Sequence, residues 1–205
     1  MAAAPKTMKI REEVAALKRE RTLDMAVDLF YEKGYVNATL DDVAERLSVT
    51  KPFIYANFGS KNELLSEICL RGVRAAGNAL DDVLAFELGP RDTLRLFIDR
   101  YVGAILEHQK NIAIYTREEK NLGEKEAAAL ADLRKGFVAK LTAMLETGVQ
   151  SGEFDVRDSG LAALAIVGAV SWSTFWYYPD GRLTIKEITE HFRHHILGLA
   201  GANRD

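Results

Sequence analysis

One cysteine, Cys69, stands in 205 residues, so the chain can form no disulfide within itself and a reducing compartment is its natural setting. As a lone free thiol, Cys69 reads as helix filler. An excess of positive charge is missing too. The 27 Lys and Arg stand against 30 Asp and Glu, a formal charge of −3, which excludes a generic polyanion binder held by charge alone. Neither an alternating strand pattern nor an internal repeat occurs, and the fold class expected is all-α. No G-x-S-x-G and no glycine-rich phosphate loop is present, so the chain reads as a non-enzyme that needs no cofactor. The N-terminal residues lack the apolar run of a signal peptide, which predicts a cytoplasmic protein. Finally, no charged residue falls between Gly160 and Tyr178. That run lies at the lower edge of the roughly 20 residues that cross a bilayer, and it is rich in Ala, with Ser171, Ser173 and Thr174 inside it. It predicts a helix of about Asp158 to Tyr178, buried on all sides within protein, between a ligand cavity and a second subunit, and no membrane partner.

What is present is concentrated in residues 39–66, TLDDVAERLSVTKPFIYANFGSKNELLS. Leu40, Val43, Ala44 and Leu47 make one apolar stripe on a short helix. Thr39 precedes it with Asp42 three residues on, a near capping box. Ser48-Val49 breaks the helix. Thr50 can cap the next, where Pro52 is tolerated because first-turn N–H groups have no intrahelical partner. This second helix, Lys51 to Phe58, is too short to persist alone. Ile54 and Phe58 would face the core, leaving Lys51, Phe53, Tyr55 and Asn57 on or beside the outer face. Such a helix-turn-helix exists to put one helix into a DNA groove.

Charge is distributed in the direction this requires. Residues 1–62 hold ten basic and nine acidic side chains, and residues 63–205 hold seventeen and twenty-one. Lys18, Arg19 and Arg21 lie ahead of the motif, where they could meet phosphates.

Around the motif the whole chain reads as helix. A first helix runs from about Arg11 to Lys33, with Leu23, Ala26, Val27 and Phe30 as its stripe and Gly34 as its stop. Ser60-Lys61-Asn62-Glu63 is a capping box opening a long helix toward Leu84 or Phe86. Gly89-Pro90 starts the next, carrying Leu94, Phe97, Ile98, Tyr101 and Ile105. A shorter piece covers Asn111 to Asn121, and Gly123 precedes a long helix to about Gln150, stopped by Gly152. Pro179-Asp180-Gly181 is a turn, and Thr184 to Glu187 is a third capping box, starting a helix to about Leu199. The architecture expected is a helix-turn-helix head, residues 11–66, continuous through one helix with a larger helical body, residues 67–200.

Residues 19–66 resemble the N-terminal domain of the TetR family of transcriptional regulators. The matching features are Phe30-Tyr31-Glu32-Lys33-Gly34-Tyr35, Thr39, Asp42-Val43-Ala44, Val49-Thr50-Lys51, Tyr55-Ala56-Asn57-Phe58 and Ser60-Lys61-Asn62-Glu63-Leu64-Leu65, in that order. The resemblance implies a homodimer whose heads bind a palindromic double-stranded DNA operator and whose body senses a small molecule. It implies that Thr39 and Lys61 contact phosphates, each close to a helix N-terminus, and that Thr50, Lys51, Pro52, Phe53, Tyr55 and Asn57 form the groove-facing set. The plainer readings are a cap for Thr39, a solvated Lys61, a core aromatic for Tyr55 and a local cap for Asn57. Ser48 departs from the family, which usually has Gly at that turn; if the position needs φ > 0, Ser bears a strain of roughly 1 kcal/mol.

Two stretches of the body, Ser171 to Thr184 and Arg117 to Leu122, resemble the subset of the family that responds to acyl-CoA thioesters of fatty-acid, sterol or aromatic-acid breakdown. A small hydrophobic or acyl-CoA effector is therefore expected. Phe97, Tyr101, Ile105, Tyr115, Leu122, Phe137, Leu141, Trp172 and Trp176 are candidates for a cavity lining, with ordinary core as the alternative, and Arg117 and Arg182 for the thioester's phosphates. The last two helices are expected at the dimer interface. There Gly168 and Ser171 permit close approach, and Leu164, Phe175, Phe192, Ile196 and Leu199 supply area. His191, His194 and His195 share a helix face, but no Cys lies near and no Glu follows His191 as a hydrolytic zinc helix requires, so no metal site is assigned. The rival readings are a ligand-independent regulator or activator and a helical metal-dependent enzyme or binding protein.

Overall fold

A computed structural model of the chain describes residues 4–202, with side chains from Glu13 onward. The helices are α1 (Ala4–Lys33), α2 (Leu40–Arg46), α3 (Lys51–Phe58), α4 (Lys61–Leu84), α5 (Pro90–Glu107), α6 (Gln109–Glu118), α7 (Glu124–Gln150), α8 (Ser159–Trp172) and α9 (Ile185–Leu199), with 3₁₀ turns at Glu119–Asn121 and Ser173–Phe175. No strand occurs among the described residues.

The head forms around the α1 stripe. Leu23, Ala26, Val27 and Phe30 are all buried, packed with Val43 of α2, Ile54 and Phe58 of α3, and Leu64, Leu65 and Ile68 of α4. An eight-residue helix such as α3 has too few internal hydrogen bonds to persist alone. Burial of Ile54 and Phe58, each worth about 1.5–3 kcal/mol, holds it in place. The α1 helix starts earlier than the expected Arg11. Gly34 ends it at φ +77°, the left-handed stop that the sequence indicates.

The body is a bundle in which α5 packs on α4 and α9, and α7 on α4 and α8. Leu94, Phe97, Ile98, Tyr101 and Ile105 form its centre, each at most 2 % exposed. The Phe97 and Tyr101 rings stack at 5.1 Å, and Phe137 of α7 leans on both.

One expectation fails. The uncharged helix ends at Trp172 rather than Tyr178, because Ser173 Oγ donates to the Val170 carbonyl (2.6 Å) and Thr174 Oγ1 to that of Ser171 (2.8 Å), tightening the last turn into 3₁₀ geometry. Within the single chain it is buried along one face. Ala162, Ala163, Ile166 and Val170 face inward, whereas Leu161, Leu164 and Trp172 stand exposed. No helix of the described residues is long and apolar enough to cross a membrane.

Head and body meet over more than α4. Ile114 and Tyr115 of α6 and Leu130 of α7 belong to the same apolar cluster as the head, so the expected boundary at residues 66/67 falls inside a helix that serves both units.

Candidate nucleic-acid interface and clefts of the body

The turn between α2 and α3 is set by Ser48, whose φ of +54° makes it the one non-glycine residue in the left-handed region among the described residues. Its N–H donates to the Glu45 carbonyl at 3.0 Å and the Val49 N–H to that of Ala44 at 3.0 Å, which closes the α2 C-terminus and turns the chain toward Thr50. Thr50 then begins α3 with extended backbone, but its side chain makes no capping bond, so the hydroxyl is left on the surface beside Lys51 and Pro52. Tyr55 is 54 % exposed, which excludes the core-aromatic reading. One face of α3 is therefore anchored and the opposite face presents Thr50, Lys51, Pro52 and Tyr55 outward.

Several residues of the expected set, Lys51 among them, are already engaged. Lys51 Nζ lies 2.5 Å from Asp41 Oδ2, an exposed pair that raises the lysine's pKa. Phe53 is half-buried against the head's apolar cluster. Asn57 Nδ2 donates to the Phe53 carbonyl at 2.8 Å, the local bond that competes with any reading of a base. Thr39 sits in a full capping box, stronger than the near one legible in the sequence. Its Oγ1 accepts from the Asp42 N–H at 3.0 Å, while its own N–H and hydroxyl both donate to Asp42 Oδ2 at 2.7 Å. Those bonds, with Lys33, hold the Asp42 carboxyl down at about 2. Lys61 is half-buried at the start of α4, its ammonium 4.4 Å from the Tyr35 ring centroid and donating to the Val36 carbonyl at 3.2 Å. Burial lowers its pKa. Among the basic residues ahead of the motif, Lys18 and Arg21 are exposed, but Arg19 pairs with Glu67 and lies 4.8 Å from the Phe58 ring centroid.

In the body the expected ligand residues do not converge on one site. Phe97, Tyr101, Ile105 and Leu141 line no open space, because their rings and branches fill the interior. Burial pushes the Tyr101 hydroxyl up to about 12. Tyr115 and Leu122 belong to the head-side cluster, with the Tyr115 hydroxyl on Glu119 Oε1 at 3.1 Å. Arg117 donates to the Ala113 carbonyl and lies 4.9 Å from the Tyr31 ring centroid, packed on the head rather than turned to a cavity. Trp172 and Trp176 are on the outside at 63 % and 44 % exposure, and Arg182 is exposed beside Trp176 and Leu183. Of the set, Trp176 and Arg182 together border a cleft of ≈ 380 Å³ against α9, and Phe137 borders one of ≈ 550 Å³ between α4 and α7. The other residues on that cleft, among them Leu70, Val73, Arg74, Gly77, Leu133 and Gly136, were outside the expected set. The signal that pointed to them was a glycine in the middle of each of two long helices.

Of the expected interface residues, Leu164, Gly168, Phe175 and Leu199 are exposed, while Phe192 is half-buried. Ile196, by contrast, is only 4 % exposed, committed to the chain's own core. Ser171 turns inward, its Oγ 3.5 Å from the Tyr101 hydroxyl. Cys69 is buried, and its thiol is pushed up to about 12. No group of three or more His, Cys, Asp or Glu able to hold a metal occurs among the described residues; the rings of His194 and His195 simply abut at 5.5 Å.

A polar tie joins head to body. Asn62, the second residue of α4, donates through Nδ2 to the Asn121 carbonyl at 2.6 Å and accepts on Oδ1 from the N–H of Gly123, the residue that caps α7, at 3.2 Å. Asn121 in turn donates to Glu118 Oε2 at 2.7 Å, and Glu118 Oε1 accepts from the Tyr35 N–H at 3.4 Å.

Comparison with known proteins gives two family matches along the chain. Residues 23–68 match "Bacterial regulatory proteins, tetR family" and residues 87–200 match "Tetracyclin repressor-like, C-terminal domain". The chain is 30% identical over 193 residues to the HTH-type transcriptional repressor KstR2 of Rhodococcus jostii (strain RHA1), covering 89% of this chain and 91% of that protein. Its fold is similar to that of the TetR family transcriptional regulator PfmR from Thermus thermophilus, with a TM-score of 0.81, 30% identity and coverage of 87% and 97% of the two chains. It is also similar in fold to AibR, crystallised with isovaleryl coenzyme A and operator DNA, at a TM-score of 0.76, 23% identity and coverage of 89% and 97%. The second half of the chain, where composition says least, carries the longer of the two family matches, and with the reading head in front of it the chain belongs to the TetR family of bacterial transcriptional regulators.

Proposed function

We propose that this protein is a ligand-responsive transcriptional repressor that binds an inverted-repeat operator as a homodimer and leaves it when an acyl-CoA thioester occupies the body. The observation that carries the DNA-binding part is the two-sidedness of α3. Ile54 and Phe58 fix it to the head, and Thr50, Lys51, Pro52 and Tyr55 stand outside on a helix short enough for a major groove. Residues 11–66 act as the head and residues 67–200 as the body.

Dimerisation is supported by the outer face of α8 and its continuation. Leu161, Leu164, Trp172 and Phe175 are exposed together, with Leu199 of α9 also exposed, and a Cβ added at Gly168 meets nothing within 4 Å. An apolar helix face with a gap for close approach suits a second copy related by a two-fold axis. Two heads so related reach half-sites roughly 34 Å apart, one turn of DNA or a multiple of it. The repressor sign and the thioester class are supported by the KstR2 repressor and by AibR with its bound isovaleryl coenzyme A.

The test is selection of bound duplexes from fragmented genomic DNA with the full-length protein, followed by gel shift. The wild type is expected to prefer an inverted repeat. Tyr55→Ala is expected to lose at least tenfold in affinity while sedimenting as the same dimer. A wild-type protein with no preference for any inverted repeat, or a variant of unchanged affinity, defeats the assignment.

A further inference from the structure

Two open clefts flank α4 and meet on it. The first, ≈ 550 Å³ between α4 and α7, has an apolar floor of Leu70, Val73, Leu133 and Phe137. The second, ≈ 580 Å³ between α1 and α4, is polar and carries Arg19, Arg71 and Arg74 against Glu20 and Glu67. Leu70, Arg74 and Asn78 border both.

Two features of these clefts go beyond accidental surface relief. Gly77 of α4 and Gly136 of α7 both line the apolar cleft, and a Cβ added at either meets nothing within 4 Å. Glycine inside a helix is less stable than alanine, and neither close packing nor a positive φ requires it at these positions. What the two glycines provide is the open space itself. The second feature is charge. Arg19 is paired with Glu67 and Arg71 with Asp24 and Glu20, and Lys140 at the far rim is paired with Asp81, but Arg74 has no ion-pair partner among the described residues. An unpaired guanidinium at the seam of an apolar and a polar cleft fits a molecule that is apolar at one end and a phosphate anion at the other.

Resting on the thioester reading above, we infer that the effector lies across α4, its acyl chain in the α4–α7 cleft beside Gly77 and Gly136 and its phosphates on Arg74 and the α1–α4 cleft. The volumes fall within the roughly 300–1,000 Å³ of small-molecule sites. The position also gives the effector a route to the DNA-reading head. Leu70 and Val73 wall the cleft and pack on the head's apolar cluster, so an acyl chain there wedges α4 away from α7 while the Asn62 tie holds their N-terminal ends together.

Isothermal titration of the full-length protein with decanoyl-CoA, decanoate and coenzyme A tests the assignment, with operator binding as the check that each variant is folded. Wild type is expected to bind decanoyl-CoA more tightly than either part. Gly136→Leu or Gly77→Leu fills the acyl cleft and is expected to cost at least tenfold for decanoyl-CoA and decanoate. Arg74→Ala, at an exposed position that the fold does not need, is expected to cost roughly tenfold to a hundredfold for decanoyl-CoA, as for a lost charge-assisted hydrogen bond, and little for decanoate. Folded variants that keep wild-type affinity for decanoyl-CoA overturn the site and leave the thioester reading standing. A wild type that binds its operator but no thioester overturns both, and spares only the DNA-binding assignment. If a leucine variant fails to bind operator, Arg74→Ala decides alone.

Discussion

At the scale of single residues, the reading head is held in check by its own charges. Lys51, the first residue of α3, is paired with Asp41 of α2, and both side chains are more than half exposed. On the proposed DNA-binding reading, a phosphate or guanine edge competes with a carboxylate for this ammonium. Exposed pairs are worth about 0.2–1 kcal/mol, so Asp41→Asn is expected to raise operator affinity roughly two- to fivefold, more at low salt than at high. Fluorescence anisotropy of a labelled operator at two salt concentrations measures this, and an affinity that does not move places Lys51 off the DNA. Which residue types stand in the head was legible from the sequence, because Thr50, Tyr55 and the turn at Ser48 sit at fixed offsets from an apolar stripe. Their partners were not. Asp41 with Lys51, Tyr35 under Lys61, and Glu67 on Arg19 are pairings between separate elements, and no spacing within one helix encodes them.

At the scale of elements, caps decide where helices start, and here the sequence was most informative. Thr39, Ser60 and Thr184 each close a capping box, three residues ahead of Asp42, Glu63 and Glu187. The ending of α8 was less legible, because an uncharged run does not announce where hydroxyl groups will bend the backbone back on itself. The cap of α2 also titrates. Its folded carboxyl sits at about 2 against an ordinary 3.8, chiefly through the hydrogen bond from the Thr39 side chain, then through Lys33 and the Thr39 N–H. A depressed carboxylate stabilises fully above its unfolded pKa, and that stabilisation fades as pH falls from 3.8 through about 2. NMR titration of Asp42 is expected to show a midpoint near 2, and Thr39→Ala is expected to move it upward toward 3.8. A midpoint that ignores the substitution rules out Thr39 as the cause.

At the scale of the whole molecule, the number of helices and the division into head and body followed from pattern, whereas core and cavity did not. Phe97, Tyr101 and Leu141 have the composition of a pocket lining and turned out to fill the bundle, since the same side chains serve either purpose and only their packing distinguishes the two. The connection between units was half legible. One helix shared by head and body was expected, but the second connection, Asn62 to the Asn121 carbonyl and the Gly123 N–H, joins groups some sixty residues apart in sequence. It bears on allostery because α4 can pivot against α7 only if some point between them stays fixed. Asn62→Ala removes both bonds at that point and leaves the α3 surface and α8 untouched. Operator affinity without effector is expected to stay within about twofold, while the loss of affinity caused by saturating decanoyl-CoA shrinks roughly fivefold, a change of about 1 kcal/mol in coupling. Hydrogen exchange at the Gly123 amide, which reports on the tie without any effector, is expected to accelerate in the variant. Faster exchange with unaltered coupling would mean that α4 alone carries the signal, and the pivot would have to be sought along that helix instead.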